Sequence, residues 1–120
     1  MKVLCVDDSA TLRKIVSITL TGSGHTVIEA ENGLVGLEKL EANPVDCILL
    51  DINMPEMGGI DFLKEKAGRP KHAGVPVIVL TTESEAEMRN TAMSLGASGY
   101  LAKPFRKEEI LAALESFAGK

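Results

Sequence analysis

VLCVDDSATLRKIVSITL, residues 3–20, carries the reading on which the fold turns. Four apolar residues, VLCV (3–6), run straight into two adjacent acids, Asp7 and Asp8. Ser9 then opens a segment with Leu12, Ile15, Val16 and Thr19 at helical spacing. A short apolar run without polar alternation reads as a strand covered on both faces, and serine is a preferred residue for capping a helix N-terminus. The stretch is therefore a strand, a tight turn and a helix, the βα unit of a parallel sheet. It also raises a chemical question, because crowded carboxylates repel one another unless a cation sits among them.

The same unit recurs down the chain. Apolar runs stand at TVIEA (26–30), CILL (47–50), VIVL (77–80) and GYLA (99–102). Helical spacing appears between or after them, in Leu34, Leu37 and Leu40 and again in Ile110, Leu114 and Phe117. Boundary residues agree: Ser84 with Glu87 forms a candidate capping box, and Gly22, Pro44 and Gly96 fall where helices should stop. Five βα repeats predict an α/β fold, a doubly wound (βα)5 arrangement with a five-stranded parallel sheet, right-handed crossovers and helices on both faces. With 120 residues and no linker or low-complexity stretch, a single domain over residues 1–120 is expected.

Composition narrows the partners. Hydrophobic residues make up 45% and charged residues 25% of the chain, a globular balance, and no stretch approaches the ~18 apolar residues of a membrane span. The formal net charge is -4 and no basic stripe is present, so neither nucleic acid nor membrane is expected as a partner. The opening MKVLCVDD is too short and too acidic for a secretory signal, which predicts a cytoplasmic protein. Cys5 and Cys47 lie inside apolar runs without CxxC spacing and read as buried thiols, while His25 and His72 fall in turn segments and read as surface residues.

In a doubly wound sheet the ligand crevice lies beyond the carboxyl ends of the strands. There the chain places Asp7 and Asp8 after the first run, Asp51 after the third, Thr81 and Thr82 after the fourth, and Lys103 followed by Pro104 after the fifth. Oxygen donors alone favour a hard divalent ion, and Mg2+ prefers one or two carboxylates together with water and phosphate. The expected ligands are Asp8, Asp51 and a backbone carbonyl at Asn53, with Asp7 acting largely through water. A carboxylate held beside a lysine on such an ion can also attack phosphorus. Asp51 is the expected nucleophile, reacting as the anion, with Mg2+, Lys103, the Thr81 hydroxyl and backbone N–H groups to neutralise the phosphoryl oxygens.

Four motifs, VDDS (6–9), LLDINMPEMGG (49–59), VLTTE (79–83) and KPF (103–105), resemble in order and spacing those of response-regulator receiver domains. The resemblance implies the flavodoxin-like strand order 2-1-3-4-5, which periodicity does not supply. It also implies that Asp51 is the phosphoacceptor, charged by a partner histidine kinase, with Asp7, Asp8 and Asn53 at the magnesium positions. Lys103 would be the phosphate-binding lysine, Thr81 the switching hydroxyl, and Tyr100 the aromatic whose rotamer follows the switch. The Lys103–Pro104 peptide would be cis. The pair Asn53 and Glu83, with Thr82 beside the switch threonine, resembles the chemotaxis regulators of swimming bacteria. That likeness implies a downstream target such as a flagellar motor switch protein, and a phosphatase as a further partner. The readout face would be the fourth helix, fifth strand and fifth helix, with Glu87, Asn90, Tyr100, Arg106 and Lys107 as contact residues. Such a protein is a signalling phosphoacceptor and not an enzyme with external substrates.

Taken singly, these residues have ordinary readings. Asp7, Asp8 and Ser9 suit any helix N-terminus, Asp51 any loop, Thr81 a strand-end turn, and Lys103 a solvated position. Tyr100 suits a core aromatic with its hydroxyl at the surface, the charges at Glu83, Glu85, Glu87 and Arg89 a wet helix face, and Met54, Pro55, Met57, Gly58 and Gly59 a turn with apolar anchors. Their coincidence at one edge carries the functional reading. A phosphatase of the haloacid dehalogenase type would need a second aspartate two residues after the nucleophile, where Asn53 stands. A flavodoxin-like cofactor binder would need a glycine-rich phosphate loop and more than the 3% aromatic residues present. Within the family, a phosphorelay intermediate, a phosphate sink or the receiver end of a longer regulator are the alternatives. Because the chain ends close behind the fifth helix, no output domain is expected.

Overall fold

The computed structural model describes residues 1–54 and 57–117. Strands and helices alternate along it: β1 (Lys2–Val6), α1 (Ala10–Thr21), β2 (Thr26–Ala30), α2 (Gly33–Ala42), β3 (Cys47–Asp51), α3 (Gly59–Ala67), β4 (Val77–Thr81), α4 (Ala86–Ser94), β5 (Gly99–Ala102) and α5 (Lys107–Phe117). Short 3-10 turns occupy Pro70–His72 and Glu83–Glu85. All strand pairs are parallel, in the order β2-β1-β3-β4-β5. Pro55 of the glycine-rich turn lies outside the described residues.

Alternate residues of each central strand feed opposite layers, as the period-2 geometry of a strand requires. Leu4, Val6, Ile48, Leu50, Val77 and Val79 pack with α2, α3 and α4 around a fully buried Phe62. Val3, Cys5, Cys47, Leu49, Ile78 and Leu80 pack with α1 and α5 through Val16, Leu20, Ile110 and Leu114. The central strands β3 and β4 are buried at every residue, as continuous apolar runs predict. The edge strands are not: β5 alternates buried and exposed, and most of β2 is only partly covered. An edge strand has a neighbour on one side only, and the helices do not reach far enough to seal it.

Local details differ from the expectations in ways the packing explains. The buried positions of α1 are Val16 and Leu20, with Leu12 half-buried, a row at four-residue steps. Ile15 is on the flank at 53% exposure. Leu34 is also exposed, because in α2 the buried places ahead of Leu37 and Leu40 are taken by Gly33, against Met57, and Gly36, against Val6 and Phe62. The capping box is formed by Thr82 and Glu85, not Ser84 and Glu87: the Thr82 N–H donates to Glu85 Oε1 at 2.8 Å, and the Ser84 hydroxyl lies 2.9 Å from that of Thr82. The box caps the 3-10 turn that leads into α4. Gly22 is the C-cap of α1, as expected, although the left-handed residue after that helix is Gly24 (φ 90°), and Gly96 (φ 103°) ends the α4 turn. His72 is buried, with Nε2 3.3 Å from Glu41 Oε2, so it ties the turn before β4 to α2 and is not a surface residue. His25 is half-buried, its Nδ1 3.0 Å from the N-terminal amine.

Candidate functional site

Strand register brings the chemistry together. Val6 pairs with Leu50, Leu50 with Val79, and Thr81 with Ala102, so Asp7, Asp51 and Lys103 emerge at neighbouring strand ends. Asp7, Asp51 and Lys103 continue the parity of the residues facing α1 and α5, while Thr81 and Tyr100 have the opposite parity and share the α4 side. Asp51 is the last residue of β3 and not a loop residue.

Lys103 Nζ donates to Asp51 Oδ1 at 3.0 Å and to Asp7 Oδ2 at 3.2 Å. The Ser9 N–H donates to the other Asp7 oxygen at 2.8 Å, and the Ser9 hydroxyl accepts from the Leu12 N–H, so one residue both orients an acid and caps α1. The Asp7 N–H continues the β1–β2 ladder to the Ala30 carbonyl at 3.0 Å. Lys103 is itself fixed by its N–H, which donates to the Thr81 carbonyl at 2.6 Å, and the Lys103–Pro104 peptide is cis.

Asp7 and Asp51 are buried and Asp8 is exposed, yet one carboxylate oxygen from each lies within 4.8 Å of the other two. Burial pushes the Asp51 carboxyl up to about 6 and the Asp7 charge adds to this, while Lys103 and the Asn53 backbone pull the other way. Burial works against the Lys103 ammonium, but the carboxylates of Asp51 and Asp7 outweigh it and hold its pKa above the ordinary lysine value. Three carboxylates against one ammonium leave an excess of negative charge that a hard divalent cation would balance. The donor set, all oxygen and partly open at Asp8, suits Mg2+.

Around this centre Thr81 is buried, Thr82 half-buried, and Asn53 and Glu83 exposed. Tyr100 is 47% exposed, and the Arg89 guanidinium sits 4.7 Å from its ring centroid. Glu87, Asn90, Arg106 and Lys107 are exposed on the same flank, from α4 to the start of α5. Sequence reasoning missed three features. Arg89, a wet helix residue by its sequence, stacks on Tyr100. Arg13 reaches the acidic turn, its Nη1 donating to the Asp7 carbonyl at 2.7 Å and its Nε to Glu29 Oε1 at 3.1 Å. A groove of about 450 Å³, lined by Leu12, Ile15, Pro104 and Phe105, opens beside Lys103. None of these has a local signal, because each needs two elements brought together by the crossovers.

A doubly wound parallel sheet with its acids, hydroxyl and lysine at one carboxyl edge places the chain among the α/β proteins whose site lies beyond the strand ends. The family model of the response regulator receiver domain matches residues 3–115, and the chain belongs to that family. It is 40% identical over 121 residues to the chemotaxis protein CheY1 of Helicobacter pylori, covering 99% of this chain and 98% of that protein. It is 39% identical to a chemotaxis protein CheY homolog of Campylobacter jejuni, covering 99% and 93%. The structure of chemotaxis response regulator CheY4 of Vibrio cholerae superposes with a TM-score of 0.91 at 38% identity, covering 97% of both chains.

Proposed function

We propose that this receiver domain is a cytoplasmic phosphoacceptor in which Asp51 takes a phosphoryl group from a histidine kinase, and that it works in chemotaxis through a target such as a flagellar motor switch protein. The observation that carries the reading is the buried Asp51 carboxylate, bridged with Asp7 by Lys103 inside a cluster of three acids. Mg2+, held by Asp8, Asp51 and the Asn53 carbonyl with Asp7 through water, would neutralise phosphoryl oxygens.

The chain's own residues do the rest. An Asp51 oxygen attacks phosphorus as an anion, so it needs no general base, while the P–N bond to the kinase histidine breaks and the departing imidazole takes up a proton. Lys103 stands at the acceptor oxygen and would pair with the incoming phosphoryl group. Thr81 would donate its hydroxyl to that group, and Tyr100, on the same side of the sheet, would follow it inward. The new charge shifts a population between two conformations, altering the face that carries Glu87, Asn90, Tyr100, Arg106 and Lys107. Glu83, Thr82 and Asn53, which follow the ends of β4 and β3, would set phosphate lifetime and access for a phosphatase. The relatives named above favour the chemotaxis role over a phosphorelay or sink.

Intact mass after incubation with acetyl phosphate tests the core of this reading. Wild type with Mg2+ is expected to gain one base-labile phosphoryl group. Asp51→Asn, and wild type with chelator, should gain none. An equal adduct on Asp51→Asn would sink the assignment of the acceptor.

A further inference from the structure

Asp7 is fixed at every polar group. Its N–H bonds Ala30, its carboxylate bonds Ser9 and Lys103, and its carbonyl oxygen is gripped by Arg13. Asp8 is different: it is exposed and makes no side-chain hydrogen bond among the described residues, yet its carboxylate lies within 4.8 Å of the two buried ones. What holds it there must therefore act through the backbone. The carbonyl that Arg13 grips belongs to the peptide plane joining Asp7 to Asp8, and a planar peptide carries the Asp8 Cα with it when it turns. Arg13 is well suited to lock that plane. It sits one turn into α1, its N–H bonded to the Ser9 carbonyl, and its side chain is 17% exposed. Its second arm reaches Glu29 of β2, so the guanidinium ties together the exits of β1 and β2 and the first turn of α1.

We infer that Arg13 is a positioning residue for the acidic cluster, setting Mg2+ affinity by fixing the peptide that presents Asp8. This rests on the reading of the cluster as a Mg2+ site. The role makes a prediction opposite in sign to that of a bare charge. As a cation near three acids, Arg13 repels Mg2+, and removing it would tighten binding. As a positioning residue, its loss weakens binding, as substitutions of groups that orient metal ligands usually do.

The test is a Mg2+ titration of the full chain, followed by calorimetry and by the amide resonances of Asp8 and Ser9, for wild type, Arg13→Gln and Arg13→Lys. Melting in chelator is measured alongside, together with the acetyl phosphate reaction at saturating Mg2+. Lysine keeps the charge but cannot span both partners as a planar fork does. Both variants are expected to bind Mg2+ about 10-fold more weakly, with the phosphorylation rate recovered once Mg2+ saturates. Should Arg13→Gln fail to fold, Arg13→Lys decides alone. Tighter binding by Arg13→Gln, or wild-type affinity in Arg13→Lys, would overturn the inference and leave the Mg2+ site standing. No Mg2+ binding by wild type would overturn both.

Discussion

Asp51 owes its chemistry to where it is buried. Alone in sequence it is an ordinary aspartate; between the sheet, Asp7 and Lys103 its carboxyl rises to about 6. The native state therefore holds a proton on it more tightly than the unfolded chain, whose aspartates titrate near ~4. Between those values the native state binds more protons than the unfolded one, so this group's contribution to stability is full at about pH 4 and is lost as pH rises to about 6. Asp51→Asn removes the effect. In chelator its melting temperature should match wild type near pH 4 and exceed it by on the order of 5 °C above pH 6. Added Mg2+, which favours the anion, should shrink the gap. A difference that stays flat with pH would show that the acid cluster does not strain the fold. Lys103 lies outside this window, since its displacement is upward from an already high value. The identity of these residues was legible in the sequence, but the displaced carboxyl was not, because it comes first from burial and then from the Asp7 charge 44 residues away, against the opposing pull of Lys103.

At the scale of elements, β3 and the helix after it, α3, meet without a cushion. The Gly59 N–H bonds the Ile52 carbonyl, and a Cβ at Gly59 would lie 2.7 Å from the Asp51 carbonyl oxygen and 2.8 Å from the Ile52 Cα. Backbone atoms cannot yield as a flexible side chain would. Gly59→Ala should therefore cost about 1–3 kcal/mol in stability and, by moving the end of β3, slow phosphorylation of Asp51 by roughly 10-fold or more. Gly74→Ala, with nothing within 4 Å of its Cβ, is the matched control and should melt near wild type. Equal melting temperatures and rates for the two variants would contradict this account. Element type and approximate ends could be read from apolar runs and caps, since strand and helix periods belong to the chain itself. The errors fell where a neighbour decides: Ile15 and Leu34 keep helical spacing yet face water, and Thr82 displaces Ser84 as the cap.

Across the whole molecule, the two buried layers account for the cysteines. Cys5 and Cys47 are fully buried on the α1/α5 side, and burial first, with acidic neighbours second for Cys5, pushes each thiol up to about 12. At pH 7 about one in 10^5 would be thiolate, so an aromatic disulfide reagent should leave both untouched in the native state and label both after unfolding. Rapid native labelling would mean that the sheet opens far more readily than its packing implies. By itself the sequence determined the alternation of strands and helices, the alternating parity that splits each central strand between two layers, and the residue types at every strand end. It could do so because periodicity, capping and turn chemistry act over a few residues. Tertiary structure alone decided that Lys103 reaches Asp7 across 96 residues and Asp51 across 52, that Arg13 grips the Asp7 carbonyl beside Glu29, that Arg89 covers Tyr100, and that His72 is buried against Glu41. Those contacts depend on crossovers and strand register, which a local pattern permits but does not specify.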